Sequence, residues 1–274
     1  MTDNQNDSLK LLAKNVRLDI LRCSYECGGA THLGGSLSIV EILTVLYGQV
    51  MNINKNNFSD SEADSFILSK GHAALALYAI LYEKGFISKN DLLSFKKNGT
   101  KLIAHPVRNL EIGIESTNGS LGHGLSIASG IALSAKKFDK KKIVFTLLGD
   151  GECNEGSVWE AAMFASHFKL DNLVAIIDKN GFQSDGSTDM TMNTSRLFEK
   201  WKSFGWNAIE LDGHNISSLT NEIEGRKINM KPTVIIAKTV KGKGVSFMEN
   251  NNLWHHARLT ENFYNNAVEE ILRA

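Results

Sequence analysis

Two apolar runs in this sequence end in the same manner, and together they restrict the fold more than any other feature. Ile143 to Leu148 is apolar and partly β-branched, the pattern of a buried strand, and it stops at Gly149-Asp150-Gly151-Glu152. A helical pattern begins near Glu155. Leu173 to Ile177 is a second such strand and ends at Asp178-Lys179-Asn180-Gly181-Phe182. A strand, a glycine turn and a helix N-terminus make an anion site, because free backbone N–H groups and the helix dipole point the same way. Asp150 would repel a bare phosphate there. A hard divalent cation removes the conflict, since Mg²⁺ keeps few protein ligands and takes phosphate oxygens for the rest. Asn180 offers a second oxygen at the same edge, where ligands of parallel sheets bind.

The rest of the chain reads as strands alternating with helices. Leu9, Leu12, Val16, Ile20 and Leu21 recur at helical spacing. Val40 to Val50 reads as a helix after a glycine turn at Gly34-Gly35, and Ser65 to Ser69 as a short strand before a helix from Ala73 to Leu81. Gly119 to Gly124 is a glycine-dense loop opening a helix from Leu125 to Ala135. Residues 208–211 and Thr233 to Ala237 are two more strands around a helix with Leu219 and Ile223. A helical tail carries Phe263, Ala267, Ile271 and Leu272. This alternation predicts an α/β fold, a mostly parallel sheet with helices on both faces.

With 274 residues the chain suits one α/β domain, 1–274, with an N-terminal helical segment and a C-terminal helical tail. Lys and Arg (30) balance Asp and Glu (30), so no global field recruits nucleic acid or an anionic membrane. No run approaches the roughly 20 apolar residues of a membrane span, and the polar N-terminus lacks a signal-peptide pattern. The 3 cysteines form no metal pattern and read as buried thiols of a cytoplasmic protein.

Four histidines sit at segment ends beside glycine, proline or tryptophan: His32, His72, His105 and His255. One such residue would more often be a surface or capping histidine; four beside a metal–phosphate loop form a candidate site. A zinc cluster of two histidines and a carboxylate is the competing reading, although no pair has helical ligand spacing. Taken singly, Asp150 could be a turn former, Asn180 a loop residue, Glu155 a helix-start acid, and Gly119-Ser120-Leu121-Gly122 a plain turn.

Gly-Asp-Gly followed thirty residues later by a strand-end Asn is the thiamine diphosphate motif, and from about Val16 to His255 the chain resembles the N-terminal, diphosphate-binding half of a transketolase made as a separate subunit. The resemblance implies that Asp150, Asn180 and the main-chain carbonyl of Phe182 hold Mg²⁺ or Ca²⁺. It implies that Gly149, Gly151 and Glu152 line the diphosphate, that Gly119, Ser120 and Leu121 pack the cofactor rings, and that His72 and His255 contact the diphosphate and line the substrate channel. His32 and His105 would hydrogen-bond the sugar, and Glu155 would lie at the subunit contact. Imidazoles titrating near neutrality suit ketol transfer, which moves protons both ways. The acid that activates the cofactor lies, in the family, in a pyrimidine-binding domain. The resemblance therefore implies a separate C-terminal subunit carrying that domain, in a two-fold heterotetramer. Two positions depart from the family pattern: His256 follows His255 where Gly is usual, and His123 stands where Gln is common. Both point away from ordinary pentose phosphates toward an unusual or nucleotide-linked sugar, and His256 is expected to matter less than His255. An α-type subunit of a 2-oxo-acid dehydrogenase and a non-catalytic cofactor-binding module remain as alternatives.

Overall fold

The computed structural model describes residues 3–273. Its centre is a five-stranded, wholly parallel sheet. The strands are β1 (Ser65–Leu68), β2 (Val144–Gly149), β3 (Leu173–Lys179), β4 (Asn207–Asp212) and β5 (Thr233–Lys238), in the order β1-β2-β3-β5-β4. The three inner strands are buried on both faces, as their near-continuous apolar sequences require, and period-2 alternation divides their side chains between two cores. Phe145, Leu147, Val174, Ile176 and Ile235 face one core, together with the helices Asp3–Glu26, Val40–Val45, Ala74–Glu83 and Ile216–Glu224. Val144, Leu148, Leu173, Ala175, Ile177, Val234 and Ile236 face the other, with the helices Gly124–Lys137, Gly156–His167 and Leu197–Ser203. Each such aliphatic side chain contributes about 1.5–3 kcal/mol of burial free energy. The expected α/β architecture is the one observed, and no helix of the described residues is long and apolar enough to cross a membrane.

Two local expectations need correction. Gly34-Gly35 is not a turn but lies inside the helix Leu33–Leu37. The reason is close approach: a Cβ on Gly34 would stand 2.9 Å from Lys241 Cγ and 3.1 Å from the Trp254 carbonyl, so glycine admits the 241–254 segment. The helix read over Val40 to Val50 is α-helical only to Val45, and Leu46–Val50 widens into a π-turn.

Outside the sheet, two short antiparallel ribbons shape the C-terminal edge. One pairs Ala30–Thr31 with Ala257–Arg258; the other pairs Phe182–Gln183 with Gly186–Ser187.

Candidate active site

Parallel register brings the ends of β2 and β3 together, with Gly149 opposite Asp178. Asp150 and Asn180 follow directly at this edge. The Asp150 carboxylate is 1% exposed and accepts one hydrogen bond per oxygen, from Gly151 N and Gly181 N, both at 2.8 Å. Burial, and then the neighbouring Asp178, push its pKa up to about 6. Asn180 Oδ1 accepts from Phe182 N at 3.0 Å. Glycine at 151 leaves room for the Gln183 side chain, since a Cβ there would lie 2.6 Å from Gln183 Oε1 and 3.2 Å from its Cβ, and the Phe182–Gln183 ribbon packs down over the turn.

Behind this pair lies a hub that the motif did not reveal. Asp178 is fully buried and accepts from Lys70 Nζ (2.5 Å), Ser38 Oγ (2.7 Å) and Asn180 Nδ2 (2.7 Å), and from Thr239 Oγ1. Burial works to raise this carboxyl, but the Lys70 ammonium together with the hydrogen bonds from Lys70, Thr239 and Ser38 holds it below the usual range. Lys70 also donates to the Gly35 carbonyl at 3.0 Å. The available signal was a lysine at the end of the fully buried strand β1, followed by Gly71-His72.

Glu152 turns inward, away from solvent. Its carboxylate, 3% exposed, is taken by Ser69 Oγ (2.5 Å), Gly122 N (2.8 Å) and Gly149 N (3.0 Å). It ties the Gly119–Gly122 loop to the ends of β1 and β2. The loop itself leaves Gly119, Ser120 and Leu121 exposed at the edge, beside His105. Glu155 is exposed as well, at the N-cap of the helix Gly156–His167.

Three of the four expected histidines converge on the fourth, His32. Its ring centroid lies 5.4 Å from that of His72, 5.9 Å from His105 and 5.5 Å from His255. A fifth imidazole, His256, is closer still at 4.5 Å. His123 is exposed at the start of the helix Gly124–Lys137, with no ring contact to the cluster. Burial first, then His256 and His255, push His32 down to about 3. Burial and Lys241 push His255 down to about 4, and burial and Lys70 hold His72 well below the ordinary histidine value. These three rings are therefore neutral at pH 7 and present both a donor and an acceptor. Among the described residues no three His, Cys, Asp or Glu side chains are grouped as metal ligands would be, so nothing here supports a zinc cage.

Lys241, from the loop after β5, is 1% exposed and joins the two halves of the site. Its ammonium donates to His255 Nδ1 at 2.8 Å and to Asn252 Oδ1 at 2.7 Å, and lies 5.6 Å from the Phe182 ring centre. Donation to Nδ1 leaves the His255 proton on Nε2. The loop is held in turn by His214: Nε2 accepts from Val240 N (2.8 Å), and Nδ1–H donates to the buried Glu41 (2.9 Å), which also pairs with Arg17 (2.5 Å). Neither His214 nor Glu41 has a sequence context that would have singled it out.

The family described as transketolase, thiamine diphosphate binding domain, matches residues 12–270. One of the separate subunits of the apulose-4-phosphate transketolase from Actinobacillus succinogenes is 41% identical over 97% of this chain and 96% of its own length. A 6-deoxy-6-sulfo-D-fructose transketolase subunit from a Clostridium species is 41% identical over 89% of each chain. The transketolase of Campylobacter jejuni superposes with a TM-score of 0.88 at 27% identity, over 99% of this chain and 43% of that one. This chain thus matches separate subunits over nearly their whole length but spans less than half of the solved enzyme. The family match runs through the strand ends that carry the buried carboxylate turn, the strand-end amide and the imidazole cluster, and the chain belongs to the thiamine diphosphate-binding domain family of the transketolases.

Proposed function

We propose that residues 1–274 form the diphosphate-binding subunit of a split transketolase, which moves a two-carbon ketol unit between sugars. Activity would require a separate subunit that carries the pyrimidine-binding domain, in a two-fold heterotetramer. The observation that carries this reading is the convergence of His72, His105 and His255 on His32 at the sheet edge that holds Asp150 and Asn180.

The donor set fits a hard cation. One carboxylate, one amide oxygen and one main-chain carbonyl (Asp150, Asn180 and Phe182) are too few to enclose Mg²⁺ or Ca²⁺, and a diphosphate would supply the remaining oxygens. His72, His255, Gly149 and Gly151 would line the diphosphate, with Gly119, Ser120 and Leu121 against the rings. Thiamine diphosphate supplies, when bound, the nucleophilic carbon that carries the two-carbon unit. The chain's own residues orient the sugar: His32, a neutral ring, and His105 hydrogen-bond its hydroxyl and carbonyl oxygens, and His255, held by Lys241, presents Nε2–H. Proton exchange with a carbonyl oxygen that becomes a hydroxyl suits imidazoles in such positions. Glu155, exposed at its helix start, is free to meet a partner. Free thiols, two of the three buried, accord with the cytoplasm.

Relatives named for apulose 4-phosphate and sulfofructose favour an unusual sugar as substrate here too. The imidazole cluster gives the oxo-acid dehydrogenase alternative no support, and its retention weighs against a non-catalytic module. The test is reconstitution. The purified chain alone should bind thiamine diphosphate weakly at most and be inert, and ketol transfer should appear on adding the partner subunit and saturate near one-to-one. Robust transfer by the isolated chain, free of host transketolase, would overturn the split-enzyme reading.

A further inference from the structure

The loop that carries Lys241 is held from outside the histidine cluster, by a residue at the end of the neighbouring strand. After β4 the chain turns against the end of β5, where Gly213 N donates to the Lys238 carbonyl at 2.7 Å. Glycine at 213 admits this approach, since a Cβ there would stand 2.5 Å from Thr239 Cγ2 and 3.1 Å from the Lys238 carbonyl oxygen. The turn brings His214 to Val240, whose N–H is accepted by Nε2 at 2.8 Å. On the other side of the ring, Nδ1 meets Glu41 Oε2 at 2.9 Å, and Glu41 Oε1 meets Arg17 Nη2 at 2.5 Å. Arg17 Nε then returns to the same loop, donating to the Lys243 carbonyl at 3.1 Å. One closed relay thus grips the loop twice, at Val240 and at Lys243, with Lys241 between the two points.

The relay also decides which ring nitrogen of His214 carries the proton. Burial works to raise Glu41, but the hydrogen bond from His214 and the Arg17 charge hold its carboxyl below the usual range, so both of its oxygens accept. Nδ1 therefore carries the proton, and Nε2 is left bare for the Val240 N–H. Packing alone leaves the ring room to turn, because it borders a cavity of about 780 Å³ that Arg17, Glu41 and Lys243 also line. A buried ion pair adds little net stability over a well-packed apolar pair. What Arg17 and Glu41 contribute here is direction.

We propose that His214 is a positioning residue for ketol transfer, acting through Lys241 on His255. The proposal rests on the transketolase reading of the site. Oriented by Glu41 and Arg17, His214 fixes the main chain at Val240, and the adjacent Lys241 ammonium then meets His255 Nδ1 at 2.8 Å and keeps the His255 proton on Nε2. Lys241 is 1% exposed and is further held by Asn252 Oδ1 at 2.7 Å, so a displaced main chain at 240 is passed on to these contacts. A misplacement of about 1 Å, made away from the reacting atoms, can cost on the order of a hundredfold in rate.

The test uses the assembled two-subunit enzyme, with xylulose 5-phosphate, fructose 6-phosphate or apulose 4-phosphate as ketol donor and ribose 5-phosphate as acceptor. His214→Gln places an amide oxygen near the Nε2 position, whereas His214→Asn keeps an N–H for Glu41 and leaves Val240 without an acceptor. His214→Ala and His214→Asn should lower kcat about tenfold or more with KM within about twofold, and His214→Gln should recover most of the loss. A double-mutant cycle with Lys241→Met gives a readout that a merely structural role would not move: once Lys241 is gone, His214→Ala should cost nothing further. Additive losses, or Asn and Gln variants that behave alike, would overturn the positioning role, and the second comparison stands even if His214→Ala does not fold. Wild-type enzyme that turns over none of the three donors would count against the transketolase reading. Crystal structures of the Asn and Gln variants would then still decide the positioning role, which fails if Lys241 Nζ keeps its hydrogen bond to His255 Nδ1 in the Asn variant.

Discussion

Lys70 and Asp178 form a fully buried ion pair, Nζ to Oδ2 2.5 Å, beneath the edge that carries Asp150 and Asn180. Asp178 belongs to β3 and also fixes Asn180 through the amide Nδ2, so this pair sets the orientation of the expected metal ligand. Its removal should be costly because the partner charge would be stranded in the interior. Lys70→Met or Asp178→Asn should each lower stability by about 3–5 kcal/mol. Urea unfolding monitored by circular dichroism measures this, and a loss below about 1 kcal/mol would show that water reaches the pair.

Cofactor binding should depend on the divalent cation. Asp150 faces a position read as holding a diphosphate, and without a cation the two anions repel in a largely desolvated site. Thiamine diphosphate titrated into the assembled enzyme should bind far more weakly in EDTA, and Asp150→Ala should not be rescued by Mg²⁺. Undiminished affinity in both experiments would remove Asp150 from the metal site.

His32, His105 and His255 should act on substrate more than on folding. Each ring is only partly buried and lies on a loop or segment end. Alanine variants should melt near the wild type and bind thiamine diphosphate, while turnover falls on the order of a hundredfold, the usual cost of one donor aimed at developing charge. Near-normal rates in all three would exclude the sugar-contact assignment.

Away from the site, Asp19 on the first helix and Glu83 form an acid pair that should make stability pH-dependent. Burial, then Glu83, raise Asp19 from the ordinary 3.8 to about 7. The folded state therefore holds this proton more tightly than the unfolded chain. The resulting stabilisation is complete below pH 3.8 and is lost as pH rises through about 7. Asp19→Asn should melt like the wild type near pH 4 and gain roughly 1 kcal/mol at pH 8, after allowance for partial exposure and solvent screening. Thermal melts across this range decide it, and an unchanged difference between the two proteins would dismiss the shared proton.

Much of the candidate site could be read in advance because its residues sit at punctuation points. Asp150 and Asn180 each end an apolar run, and parallel strands must bring such ends to one edge. The histidines beside Gly, Pro and Trp were visible for the same reason. The partners of Glu152 were not legible, because adjacency to the motif does not reveal which way a side chain turns. Its oxygens point back to Ser69, Gly122 and Gly149, and two of these three come from segments remote in sequence.

Local pattern alone specified the parallel α/β sheet, the order of its elements and the carboxylate–amide pair, since hydrophobic periodicity and glycine turns act over a few residues. Tertiary packing was needed for the rest. It joined Lys70 to Asp178 across 108 positions, hung the Lys241 loop on His214 and Glu41, and set His256 opposite His32 through a ribbon of two-residue strands. Such contacts depend on desolvated charge and on register between distant segments, and neither leaves a periodic trace in the residues that make them.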